Sequence, residues 1–151
     1  MPVLILAAVF VIGLVVMMPT RAWSFVKGVG TYVDLEPIGN GLQMRADAAA
    51  AYVAMKQAAA RVGVHLVATS AFRTMAEQER LWALFQSGEG NLAAKPGYSN
   101  HQSGIAVDIQ VGNSFSSKEY VWLQANAQRF GFVNTGATFS QKEPWHWEYK
   151  P

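Results

Sequence analysis

Ser99-Asn100-His101-Gln102-Ser103-Gly104-Ile105-Ala106-Val107-Asp108 is the stretch from which the rest of the chain is read. Its second half alternates as a β-strand does. Ile105, Val107, Ile109 and Val111 point to one side, and Ala106, Asp108 and Gln110 to the other. The apolar set claims a core, so Asp108 is expected on the opposite face, beside the small Ala106. Gly104 lets the chain turn, and His101 can fold back toward Asp108. The ordinary alternative for this spacing alone is a surface Asp and an unrelated loop His.

A second stretch bears on that choice: Glu143-Pro144-Trp145-His146-Trp147-Glu148-Tyr149. Trp145, Trp147 and Tyr149 share one strand face, and His146 and Glu148 share the other. A histidine between two large aromatics is well oriented, as a metal ligand must be. Two His and one carboxylate leave a position open on zinc, the pattern of catalytic rather than structural sites. Glu143 is then available as a general base for a water molecule. The competing reading is an aromatic core strand with an incidental His.

Ser70-Ala71-Phe72-Arg73-Thr74 is the third informative segment, followed by Gln78. Gln78, Leu81, Trp82 and Phe85 fall at helical spacing, so Gln78 is expected to point inward with the apolar face. Arg73 sits where a strand gives way to a helix N-terminus. Guanidinium, inward amide and helix terminus together make a corner suited to a carboxylate. A plain surface pair between Arg73 and Glu77 is the alternative.

Around these segments the pattern predicts helices and short strands. An Ala-rich helix spans about Arg45 to Val62 and stops at Gly63. Val64–Ser70 reads as a strand. Thr74 and Glu77 form a capping box for a helix ending near Gly88. Ser116 and Glu119 form a second one, for a helix ending at Gly131. Ile105–Val111 and Trp145–Tyr149 are further strands. No regular βαβ period appears, so the expected class is α+β, a small antiparallel sheet flanked by helices. His65 lies outside all of these patterns and reads as structural or exposed.

Composition narrows the function. Of 151 residues, 51% are hydrophobic and 15% charged, which argues against a disordered chain. The 12 basic and 10 acidic residues leave a net charge of +2 with no basic run, so no nucleic-acid partner is expected. The absence of cysteine excludes disulfides, Cys-ligated zinc, iron–sulfur clusters and cysteine nucleophiles. Residues 2–18 carry no charge and, as a helix, would rise roughly 25 Å. The expectation is therefore an N-terminal transmembrane helix, with residues 3–18 in the membrane and residues 1–21 forming an anchor. A cleaved signal peptide and a buried core helix are the alternatives. Residues 22–41 are read as a linker and residues 42–151 as the functional domain. Arg21 and Lys27 follow the apolar stretch, a charge bias that weakly favours a cytoplasmic domain.

The three motifs, in this order and spacing, resemble the VanY-type D-alanyl-D-alanine carboxypeptidases. These belong to a wider group of zinc peptidases that includes lysostaphin-type enzymes and the hedgehog signalling domain. The resemblance runs from about Leu42 to Tyr149. It implies one Zn²⁺ with His101, Asp108 and His146 as ligands and Glu143 as the catalytic base. It also implies Arg73 and Gln78 as substrate-binding residues, with Ser99 as a helper. The implied substrate is the peptidoglycan stem peptide, with removal of the terminal D-Ala as the leading reaction. An endopeptidase, as in related phage endolysins acting in lysis or on the virion, is the alternative. A zinc-retaining binding module without catalysis is a reading of another class, and the presence of Glu143 favours an enzyme. Because peptidoglycan lies outside the cytoplasmic membrane, the domain is expected to face the periplasm or cell exterior, against the charge bias. It would be anchored there, secreted after signal cleavage, or carried at a phage virion membrane.

Overall fold

The computed structural model describes residues 20–112 and 114–151. Among these described residues there are two antiparallel sheets and three α-helices. The first sheet joins β1 (Thr20–Val26), β2 (Val29–Gly39) and β3 (Leu42–Arg45) in that order. Helix α1 (Ala46–Arg61) follows at once, and α2 (Met75–Ser87) and α3 (Lys118–Asn126) come later. The second sheet is built from β4 (Ala68–Ser70), β5 (Ala106–Ile109), β6 (Phe132–Val133) and β7 (His146–Tyr149), in the order β4-β5-β7-β6.

Two expectations are corrected here. Most of residues 22–41 form paired strands rather than a linker, so the fold has two small sheets instead of one. Trp23, Phe25 and Tyr32 share one face, and a turn at Lys27-Gly28 closes a hairpin that composition alone had passed over. The expected transmembrane helix is the second. Among the described residues no helix is long and apolar enough to cross a membrane. The stretch 2–18 lies outside the described residues.

Local sequence explains the elements that hold the site. Helix α1 is half alanine, the best helix former. Ala48, Tyr52, Met55 and Ala59 recur on one face, and all are fully buried. That face packs with Met44, Leu66, Val107, Ile109, Leu123, Phe132 and Trp147 in one core. Val62, expected as the last residue of this helix, is its C-cap and is exposed. Helix α2 begins with the expected capping box: the Thr74 hydroxyl accepts from the Glu77 N–H, and the Glu77 carboxylate accepts from the Thr74 N–H. It ends at Gly88, in the left-handed conformation. Helix α3 is capped by Ser117, one residue later than expected, through the Tyr120 N–H.

Candidate metal centre and active site

Strand register brings the first two site residues together. β5 and β7 pair with Asp108 opposite His146, Val107 opposite Trp147 and Ala106 opposite Glu148. Val107 and Trp147 take the core side, so Asp108 and His146 are directed to the other face. Directly paired residues have Cβ atoms about 4.5–5.5 Å apart, within reach of a short carboxylate and an imidazole. Asp108 Oδ1 lies 3.0 Å from His146 Nδ1.

His101 arrives from the loop before β5. That loop turns at Gly104, whose φ is +76° and whose carbonyl accepts from the Arg45 N–H at 2.9 Å. A Cβ at this position would lie 3.1 Å from the Arg45 nitrogen, so glycine is required on both counts. His101 Nδ1 lies 2.7 Å from the Ala71 carbonyl oxygen, just beyond β4. A carbonyl only accepts, so Nδ1 carries the proton and Nε2 is left facing Asp108 Oδ1 at 3.4 Å.

These three residues fit a zinc ion. One potential donor atom from each lies within 4.8 Å of the others. Tetrahedral zinc with bonds of about 2.0–2.1 Å places neighbouring donors roughly 3.3 Å apart. The spacings of 3.0 and 3.4 Å to Asp108 are close to that edge. His146 would offer Nδ1, because its Nε2 points instead to the buried Glu148 carboxylate at 3.3 Å.

Charge is concentrated at this point. Burial works against ionised Asp108, yet His101 and His146 close beside it outweigh that effect and hold the carboxyl below the usual range. Burial likewise opposes protonated His146, but hydrogen bonds to Asp108 and Glu148 raise it to about 9. Without a cation the cluster therefore keeps protons where a metal would sit.

Glu143 is positioned by a turn. Its N–H donates to the Gly136 carbonyl at 3.0 Å, and its own carbonyl accepts from the His146 N–H at 3.1 Å. Gly136 fits closely beneath it: a Cβ there would collide with the Glu143 carbonyl oxygen and lie 2.8 Å from His146 Cβ. The Glu143 carboxyl is half-buried. Burial raises its pKa; His146 pulls it down and Asp108 pushes it up, and the net shift is upward.

Arg73 does not pair with Glu77, which is committed to the helix cap. Its guanidinium donates to Gln78 Oε1 at 2.8 Å and to Ser70 Oγ at 3.4 Å. Burial lowers its pKa, while Asp108, Glu77 and Glu143 counter that effect. Gln78 is inward, as its spacing predicted, and fully buried. Its amide is already engaged, accepting from Arg73 and donating to the Ala94 carbonyl at 2.7 Å. It thus braces Arg73 rather than reaching out itself. Ser99 is buried, and its hydroxyl accepts from the His101 N–H at 3.3 Å, which shapes the turn into His101. His65 is exposed on the segment leading to β4.

Two contributors went unrecognised in the sequence. The Ala71 carbonyl is backbone and carries no sequence signal. Glu148 does carry one, since it shares a strand face with His146 at two-residue spacing.

The chain is similar to known proteins over the region that carries these residues. The family of VanY D-alanyl-D-alanine carboxypeptidases matches residues 41–151. A D-alanyl-D-alanine carboxypeptidase of Enterococcus faecalis is 30% identical over 139 residues, covering 78% of this chain and 52% of that protein. The chain spans about half the length of the curated relatives it matches, or less. Among solved structures, a mutant of the vancomycin-resistance D,D-pentapeptidase VanY, in complex with Zn(II), superposes with a TM-score of 0.62 at 28% identity, covering 79% of each chain. The LdcB LD-carboxypeptidase gives 0.63 at 28% identity, covering 76% of this chain and 62% of its own. With its matched region holding the whole His101–Asp108–His146 cluster, the chain belongs to the VanY D-alanyl-D-alanine carboxypeptidase family.

Proposed function

We propose that the chain is a zinc peptidase that removes the terminal D-Ala from peptidoglycan stem peptides. The observation carrying this reading is the triangle of His101, Asp108 and His146 with Glu143 fixed at its rim. His101, Asp108 and His146 would hold the ion, and Glu143 stays free of it. Bound zinc supplies a Lewis acid that polarises the scissile carbonyl and lowers the pKa of water to about 7.

The chain's own residues supply the remaining chemistry. Glu143 takes the proton from the attacking water and returns it to the leaving amine. Arg73, braced by Gln78 and Ser70, presents a guanidinium at the edge of the site. A free peptide carboxylate meets that group as a charge-assisted hydrogen bond acceptor. Ser99 keeps His101 in its turn. Peptidoglycan is assembled outside the cytoplasmic membrane, so this reading requires the domain to work there.

Mass spectrometry of pentapeptide muropeptides incubated with the zinc-loaded chain is the test. Loss of one C-terminal alanine to give a tetrapeptide is expected. Trimming of tetrapeptides alone would replace this reading with L,D-carboxypeptidase activity, and internal cleavage would replace it with endopeptidase activity. An inert protein with zinc bound would make the site a binding module.

A further inference from the structure

Glu148 is a carboxylate only 2% exposed, on the strand that carries His146, and the proposed chemistry does not use it. An ionised group in such a place is costly unless fully hydrogen-bonded. Here the partners are specific. His146 Nε2 lies 3.3 Å from Oε1, Asn100 Nδ2 donates to the same oxygen, and Lys150 Nζ lies 2.8 Å from Oε2. Ala106, opposite Glu148 in the register, is small.

From this geometry we infer that Glu148 is the positioning residue of the metal centre, holding His146 by Nε2 and the His101 loop through Asn100. The inference rests on the zinc reading above. A carboxylate only accepts, so it keeps the proton of neutral His146 on Nε2 and turns the Nδ1 lone pair toward Asp108. Asn100 precedes His101, and its carbonyl accepts from the Ser103 hydroxyl at 2.7 Å, closing the turn that presents His101. One carboxylate therefore ties together the two segments that deliver the histidines. Neither histidine is held by a helix, and β7 is only four residues long, so this tie supplies order that the backbone alone provides weakly.

Zinc affinity of the full chain, measured by competition with a chromophoric chelator, tests the inference. The variants are Glu148→Met, Glu148→Gln and Asn100→Ala. Glu148→Met keeps the bulk but accepts nothing, and should weaken zinc binding by about 10–100-fold. Glu148→Gln keeps an acceptor oxygen for Nε2 and should recover part of the loss. Asn100→Ala should weaken binding less, and its effect should not add to that of Glu148→Met. Cobalt(II) substituted for zinc provides a readout that general destabilisation would leave alone. Its visible spectrum should change in Glu148→Met and return toward the parent in Glu148→Gln. Should Glu148→Met fail to fold, Asn100→Ala carries the same test through affinity and spectrum. Parent-like affinity and cobalt spectrum in folded Glu148→Met, or in Asn100→Ala where Glu148→Met does not fold, would overturn the inference while leaving the zinc reading intact. A parent chain that binds no zinc would overturn both.

Discussion

His146 Nδ1 lies 3.0 Å from Asp108 Oδ1, a cross-strand pair set by the register of β5 and β7. In the metal-free chain this contact is an ion pair. Burial disfavours the charge on His146, but its bonds to Asp108 and Glu148 raise it from 6.5 to about 9. A pKa raised on folding stabilises the folded state fully below 6.5, and this contribution is lost as pH rises through about 9. The metal-free chain should therefore lose melting temperature across that window.

Zinc reverses the trend, because the ion must displace the His146 proton. Its apparent affinity should climb about tenfold per pH unit from this one group until pH approaches 9. Thermal melts with chelator and with zinc, compared between pH 6.5 and 9, should diverge. Parallel curves, or a His146→Ala variant with the parent's pH slope, would contradict the assignment of His146 as a ligand.

Glu143→Gln should retain one zinc per chain and lose about 10²–10⁴-fold in turnover. The side chain sits in a turn three residues before His146 and is not among the residues clustered as ligands. Gln preserves its size but cannot accept the proton of water. Metal analysis alongside single-turnover hydrolysis separates the two roles. Loss of zinc would make Glu143 a ligand, and retained turnover would move the base elsewhere.

The legible part of the site was the part carried by strand alternation. Asp108 and His146 follow from strand alternation and an inward Gln78 from helical spacing, because a buried apolar set fixes where its neighbours point. His101, by contrast, lies in the loop before β5 and rested on the turn at Gly104 and the family resemblance. The hairpin of β1 and β2 was hidden by its length and polarity. Arg21, Asp34 and Glu36 dilute its alternation, and much of the hairpin is exposed, so it demands few apolar residues. For Gln78 the place was legible and the partners were not. Its direction was readable, but the Ala94 carbonyl that occupies its amide comes from a loop with no periodic signal. The Ser116 cap failed by one residue because Ser117 offers the same hydroxyl, and three-dimensional geometry chooses between them.

Gly136→Ala should disturb the site from outside it. The added methyl group meets the Glu143 carbonyl and the His146 Cβ, both backbone-anchored, so neither can swing away. Overpacking of this kind costs typically about 1–3 kcal/mol. The Glu143–His146 turn should shift as a unit, lowering zinc affinity and turnover together with stability. A crystal structure and chelator competition would detect this. A variant with the parent's melting temperature and zinc affinity would show that the turn is softer than its contacts imply.

Arg73 should matter most where the substrate ends in a free carboxylate. Burial lowers its pKa, opposed by the nearby acids, and its guanidinium is braced by Gln78 and Ser70 at the margin of a site rich in carboxylates. A carboxypeptidase substrate offers a terminal carboxylate one residue beyond the scissile bond; an internal bond offers none. A hydrogen bond to a charged group contributes about 1.5–3 kcal/mol. Fully realised in the transition state, that is roughly 10–150-fold in kcat/KM. Arg73→Ala should therefore slow cleavage of a free pentapeptide by such a factor and have little further effect on its C-terminal amide, already a poor substrate for the parent. Arg73→Lys keeps the charge but not the planar fork, so it should restore only part of the rate. Gln78→Ala removes the brace without removing the charge, and should raise KM for the free peptide more than it lowers kcat. If Arg73→Ala slowed both peptides equally, the guanidinium would be acting on the scissile carbonyl rather than reading the terminus, and cleavage of internal bonds would become the better account of the site.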